Sequence, residues 1–322
     1  MNLPSVAMFG LTSLLVISPP ARADSFGIAS AYNVFALTGD VTASSDIGGR
    51  VAAAGTILKA GTVAANPIPN DTYGSFYGNP FDFVSPGGYS GPSANINGTS
   101  GAYAPGASNS SFNFNDGGTL VTTGSSGINF SSLASSINAE SLALGVLASN
   151  GTAATGSNPN LLVLTGLSPT LNIFTLTAAQ LSSYVDLDIE APTGSTIIVN
   201  VTGGMGSGIQ VPTLSYNGVQ ISGDSAADDQ ILFNFFEDTT TVNFTGQFSA
   251  SVLAPLAEVT GNSQLDGTII SGSFDDNGEI HNVEFNGNLP PPSTSPTPEP
   301  SSLLLLATGA AGILGAVRRR LR

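Results

Sequence analysis

The chain has 322 residues, of which 41% are hydrophobic and only 9% charged, with 39 glycines, 20 prolines and neither cysteine nor tryptophan. Seven basic against 22 acidic residues give a formal charge of −15, which argues against nucleic acid or anionic lipid as a partner of the body, since both need clustered cations. Without cysteine there is no disulfide, thiolate metal site or cysteine nucleophile, and low charge with abundant Gly, Ser, Thr and Asn fits an exported β-rich surface protein.

Met1–Ala23 reads as an export signal. Val6–Ile17 is an apolar core of suitable length, and Ala21 and Ala23 supply the small residues that a signal peptidase accepts. The segment before the core, MNLPS, departs from the usual pattern in having no Lys or Arg. Cleavage after Ala23 leaves Asp24 as the mature start. With both ends removed, the body over 24–289 keeps only Arg50 and Lys59 against 21 acidic residues, a net charge of −19. Divalent cations or neutral polysaccharide suit such a body better than anionic polymers.

Within the body the dominant signal is short strands between Gly, Pro and Asn breaks. Leu161–Leu164, Asn172–Thr177, Val185–Ile189, Thr196–Val201, Ile231–Phe235 and Thr241–Phe244 carry β-branched or alternating apolar residues. Thr213–Tyr216 and Val219–Ser222 flank Asn217-Gly218, a hairpin signal because both positions of a type I′ turn need φ > 0. One helix is predicted at Ser132–Ala148, with Leu133, Ile137, Leu144 and Leu147 on one face. A second, short one starts at Thr177, where TAAQ offers a capping box with Gln180. Asn66–Gly127 reads as long loops with a few irregular strands.

Two stretches match without gaps across the body. Val41–Val51 and Val259–Ile269 share V-T-x-x-S-x-[IL]-x-G-x-[VI]. Single aliphatic residues spaced by Gly and small polar residues suit a β-solenoid, in which each coil turns a corner every few residues. The repeat therefore predicts that the first and last parts of the body occupy similar, adjacent coils. Asn33–Ile57, Asp188–Gly203 and Ile231–Asn282 also resemble the choice-of-anchor A domain of bacterial surface proteins. That resemblance implies an adhesive module, a right-handed β-helix with one helix packed along its coils, and no established catalytic residues.

Chemistry-bearing residues are sparse. His281 is the single histidine, and no G-x-S-x-G elbow accompanies it, so it reads as a histidine bonded at a strand end. Asp275-Asp276-Asn277-Gly278-Glu279 and Asp224, Asp228 and Asp229 gather oxygen ligands without the spacing of a recognised calcium loop. They read as turns, with calcium kept as the alternative and no other cofactor expected. Asp186, Asp188 and Glu190 alternate with apolar neighbours as a half-buried strand requires. Among so many acidic residues, no pair stands out for glycoside hydrolysis.

The tail begins with a Pro/Ser/Thr linker at 290–297, which favours extended geometry. Over 298–322, Pro298-Glu299-Pro300 precedes an apolar run, Leu303–Val317, and then Arg318, Arg319, Arg320 and Arg322. As a helix the 15-residue run spans about 22 Å against roughly 30 Å of hydrocarbon, a marginal single transmembrane helix with its arginines on the cytoplasmic side. The three parts in this order resemble the PEP-CTERM sorting signal of Gram-negative bacteria. The resemblance implies transient inner-membrane anchoring, cleavage by a membrane-embedded exosortase, and passage of the body to the cell surface or exopolysaccharide matrix. The sequence thus points to a non-enzymatic adhesin or matrix protein facing polysaccharide or neighbouring surface proteins. The alternative is a polysaccharide-active enzyme on the same scaffold. Ice binding would need a regular Thr array, for which Thr239–Thr241 is too short.

Overall fold

The computed structural model describes residues 26–64, 78, 81–204, 211–221 and 228–291. The signal segment with Ala21 and Ala23, most of the linker, Pro298-Glu299-Pro300, the apolar tail and its arginines lie outside the described residues, as does Asp224. Among the described residues no helix is long and apolar enough to cross a membrane.

The body is mainly β and built from parallel ladders. The first ladder contains, in spatial order, Leu120–Val121, Ala102–Tyr103, Phe83–Val84, Val51–Ala53, Val34–Ala36, Ile269–Asp276, Ser251–Gly261, Ile231–Asn234, Thr196–Thr202 and Leu171–Thr177. Its register aligns Leu120, Ala102, Phe83, Val51, Val34, Ile269, Val252, Phe233, Val199 and Phe174 as one continuous inward row. A second ladder aligns Val242, Val259, Phe274, Val41 and Ile57. A third aligns Phe248, Leu265 and Ile280, continues through bridges to Ile47 and Val63, and ends on Ile96 and Phe114. The inward rows of all three ladders converge on one apolar core.

The chain visits the ladders in a fixed order. Val34, Val41, Ile47 and Val51 fall on the first, second, third and first ladders, and Val252, Val259, Leu265 and Ile269 do the same. The two matching sequence stretches therefore hold equivalent positions, with Val41, Ile47, Val259 and Leu265 all fully buried. Their circuits are separated by one intervening circuit through Phe274 and Ile280. Val34–Ala36 lies between Val51–Ala53 and Ile269–Asp276, so the two halves of the body meet at a seam between its first strand and its last long one.

Between the halves runs α1 (Phe130–Gly145), whose first turn is capped by Asn129 Oδ1 accepting from Ser132 N at 3.1 Å. That cap sets the start two residues before the predicted one, and the helix stops three residues early. Ile137 and Leu144 are buried, with Leu133 and Leu147 beside them, against the outward side chains of Phe35, Leu253 and Ile270 on the first ladder. Each such burial contributes about 1.5–3 kcal/mol. Polar anchors fix the helix position: Asn234 Nδ2 donates to Ser141 O at 2.9 Å and to Asn200 Oδ1 at 2.8 Å, while Asn200 Nδ2 donates to Leu144 O at 2.8 Å.

A five-stranded sheet packs beside these ladders: Thr152–Thr155, Leu161–Thr165, Asp186–Glu190, Thr213–Tyr216 and Val219–Gln220. Asn217 and Gly218 adopt φ of 51° and 76°, the left-handed conformation the hairpin demands. α2 (Ala178–Ser183) starts with both halves of the Thr177–Gln180 capping box. Within Asn66–Gly127 the described residues from 81 onward are mostly loop with a few strands, as expected, but those strands are not irregular: Phe83–Val84, Ala94–Ile96, Ala102–Tyr103, Phe112–Phe114 and Leu120–Val121 stack in register. Two or three residues are too few to display alternation, so this regularity is invisible until the coils are stacked.

Candidate binding face

The third ladder turns its inward row into the core, and alternation along a strand sends the flanking residues to the opposite side. The residue before each inward position is Gln247, Gln264, Glu279, Asp46, Thr62, Asn95 or Asn113, following the register. The residue after it is Ser249, Asp266, His281, Gly48, Ala64, Asn97 or Asn115. Seven rungs at about 4.8 Å carry the first of these rows over roughly 29 Å, whereas Ser249, Asp266, Gly48 and Ala64 of the second are buried and leave His281, Asn97 and Asn115 to the surface. Its first row is polar throughout.

Hydrogen bonds along the strips hold these side chains in place. Asn113 Nδ2 donates to Asn95 Oδ1 at 3.1 Å, and Asn115 Nδ2 to Asn97 Oδ1 at 2.6 Å. Asp46 Oδ1 accepts from Thr62 N at 3.0 Å. At the other end Gln264 Nε2 donates to Asp266 Oδ1 at 2.8 Å, and His281 Nδ1 lies 2.9 Å from the same oxygen. Glu279 Oε1 is 3.7 Å from His281 Nε2. Side chains fixed in this way lose less conformational freedom when a ligand arrives.

His281 thus sits in the strand Ile280–His281. Ser249 Oγ donates to the buried Asp266 Oδ2 at 2.5 Å, so the carboxylate stands between hydroxyl and imidazole. Activating a serine requires the imidazole in that middle place. This geometry braces a corner instead of preparing a nucleophile.

Beside the face, a cleft of about 180 Å³ is lined by Arg50, Asp82, Asn97, Asp116, Asn282 and Glu284 among others. Arg50 Nε lies 3.4 Å from Asp82 Oδ1, and Asp82 Oδ2 accepts from Ser100 N at 2.8 Å and Gly101 N at 2.9 Å. Burial raises the Asp82 pKa, against the lowering influence of Arg50 and these two amides. The carboxylate is committed to structure, and its partners lie on neighbouring circuits.

Of the candidate calcium ligands, Asp224 lies outside the described residues. Asp275 is exposed, whereas Asp276 points inward with Gly278 N donating to its Oδ1 at 2.9 Å. Asp228 and Asp229 belong to a short 3-10 turn, Asp228–Gln230. Among the described residues no group of three or more His, Asp or Glu could hold a metal ion. In Asp186–Glu190, Leu187 and Ile189 are buried and Glu190 is exposed, as the alternation predicts. Asp188 is buried as well, because its Oδ1 accepts from Gly218 N at 3.0 Å and braces the hairpin.

The strips themselves were missed as a site in the sequence. Their spacing is interrupted between Val63 and Ile96, so no fixed period connects Thr62 with Asn95. Once the register is known, they follow from the apolar row beside them.

The sequence profile described as "Putative Ice-binding-like adhesive domain" matches residues 25–282. That of the PEP-CTERM protein-sorting motif matches residues 296–320. The body match carries this description and not the choice-of-anchor A name. Among solved structures, an ice-binding protein from an Antarctic bacterium of the Flavobacteriaceae is 14% identical with a TM-score of 0.36, over 84% of this chain and 50% of that one. An ice-binding protein from the Antarctic ascomycete Antarctomyces psychrotrophicus is 12% identical with a TM-score of 0.34, over 80% of this chain and 97% of that one. The chain thus spans half the length of the bacterial protein it matches. No curated protein matches it. With 25–282 covered, the chain belongs to the ice-binding-like adhesive domain family and carries a PEP-CTERM sorting motif behind that domain.

Proposed function

We propose that this is an exported cell-surface or exopolysaccharide-matrix adhesin whose body is a right-handed β-helix, delivered by exosortase processing of its tail. It acts by binding, without catalysis and without a cofactor, and its partner is a neutral or weakly cationic polysaccharide. The observation that carries this reading is the seven-rung polar face. Its repeated amides and carboxylates offer donors and acceptors at regular spacing to the hydroxyls of an extended glycan. A regular Thr array is missing from that face, where Thr62 is the only threonine in the two strips, which favours glycan over ice.

The test is binding of exopolysaccharide isolated from the host. Asn95, Asn113 and Asn115 are partly or fully exposed, so replacing all three with Ala removes side-chain hydrogen bonds of about 0.5–1.5 kcal/mol each without reaching the core. Affinity is expected to fall at least tenfold with the thermal midpoint unchanged. Equal binding by the variant and the native chain moves the site elsewhere, and release of reducing sugar ends by the native chain favours the enzyme alternative.

A further inference from the structure

A second cleft, of about 170 Å³, opens where the third ladder ends, between its last strand Phe248–Ser249 and the hairpin of Thr213–Tyr216 and Val219–Gln220. Three buried side chains, Val211, Leu214 and Ile221, give it an apolar floor. Exposed polar side chains stand on both sides of that floor, Thr213 and Gln220 from the hairpin and Thr245 and Gln247 from the approach to the ladder. Among the described residues that line the cleft none is charged, although the body around it is strongly acidic.

An apolar lining with a few convergent polar groups is the usual make-up of a small-molecule site, and a volume well below the roughly 300–1,000 Å³ of drug-sized pockets limits the occupant to one small unit. The cleft also joins the polar face. Gln247 heads the first row of that face and lines the cleft as well. Its Nε2 reaches Ser249 Oγ and Asp266 Oδ2 only at 3.5 Å each. At that length the bonds are weak, so the amide turns to a ligand at little cost. A glycan lying along the rungs therefore meets the cleft at one end of its path.

A pyranose ring presents an apolar C–H side and an edge of hydroxyls, which matches an apolar floor between two polar rims. A uronate or an ammonium sugar would bring its charge against Val211, Leu214 and Ile221 with no opposite charge in the lining, at a cost in desolvation. We propose that this cleft holds one uncharged pyranose residue of a glycan bound along the polar face. The inference rests on the glycan reading of that face and narrows it to a neutral sugar at this position.

The test uses the full chain in mild detergent with two probes, the intact host exopolysaccharide and, at millimolar concentration, the neutral monosaccharides released from it by acid hydrolysis. Gly246 lines the cleft, and a Cβ added there meets nothing within 4 Å, so Gly246→Leu occupies space at the mouth without crowding the backbone. Gln220→Ala/Thr245→Ala removes one polar group from each side at exposed positions. Both variants should bind the monosaccharides at least tenfold more weakly than the native chain, with unchanged thermal midpoints, and galacturonic acid should not compete. Replacing Asn95, Asn113 and Asn115 should weaken exopolysaccharide binding and leave the monosaccharides unaffected. No monosaccharide binding by the native chain, native-like binding by either folded cleft variant, or competition by galacturonic acid overturns the cleft site. Exopolysaccharide bound without the monosaccharides leaves the face standing and refutes the cleft, whereas monosaccharides bound without the exopolysaccharide refute the face.

Discussion

Asn33→Ala is expected to cost about 3–5 kcal/mol of folding stability, the largest effect of any single polar substitution in the body. Asn33 is almost wholly buried at the seam. Its Nδ2 donates to Gly267 O at 2.6 Å and to His281 O at 3.0 Å, while its Oδ1 accepts from Gly49 N at 3.1 Å. Truncation orphans Gly267 O and Gly49 N at the seam, at about 1–3 kcal/mol per group when nothing relaxes, while His281 O still accepts from Val283 N at 3.1 Å. Domains of this kind carry about 5–15 kcal/mol in total. Urea unfolding should show a lower midpoint with an unchanged slope, and a loss under 1 kcal/mol would mean that the halves are held together by the apolar rows alone.

The second large effect is a dependence on pH set by Asp276. Burial pushes its pKa up to about 6, opposed by the amides of Gly278 and Asn277 and aided by the neighbouring Asp275 charge. Oδ2 has no hydrogen-bond partner among the described residues. Because the folded state holds this proton more tightly than the unfolded chain, the group favours folding below its ordinary pKa near 4. That contribution is lost as pH rises from about 4 to 6, a change of about 3 kcal/mol for two pKa units. Asp276→Asn should remove this component of the slope and leave the variant more stable than the native protein at pH 8, with no gain at pH 4. Calcium binding through this carboxylate predicts the reverse, a variant that is less stable at pH 8 when calcium is present.

Local signals were readable wherever a residue's own backbone preference decides the structure. Asn217-Gly218 formed its hairpin because few other pairs tolerate two positive φ values, and Thr177 capped its helix because its hydroxyl and Gln180 both find orphan amides. The internal match between Val41–Val51 and Val259–Ile269 disclosed the shared circuit, since each aliphatic rung needs the same interval between corners. Asn200 and Asn234 were not readable. On a solvent-facing strand they would look the same, and only the crossing of α1 over the first ladder turns them into buried anchors. The polar face was hidden for a related reason: a glycine- and asparagine-rich segment reveals which side faces water only after its two- and three-residue strands are placed in register.

Delivery to the surface decides whether the polar face meets any polysaccharide, so the most direct measurement is fractionation of the host with and without its exosortase, with mass spectrometry of the mature C-terminus. The account predicts a body shortened near Pro298-Glu299-Pro300 at the cell surface or in the matrix of the normal strain, and an intact tail held in the inner membrane of the strain lacking the exosortase. An uncut tail in the inner membrane of both strains would contradict it.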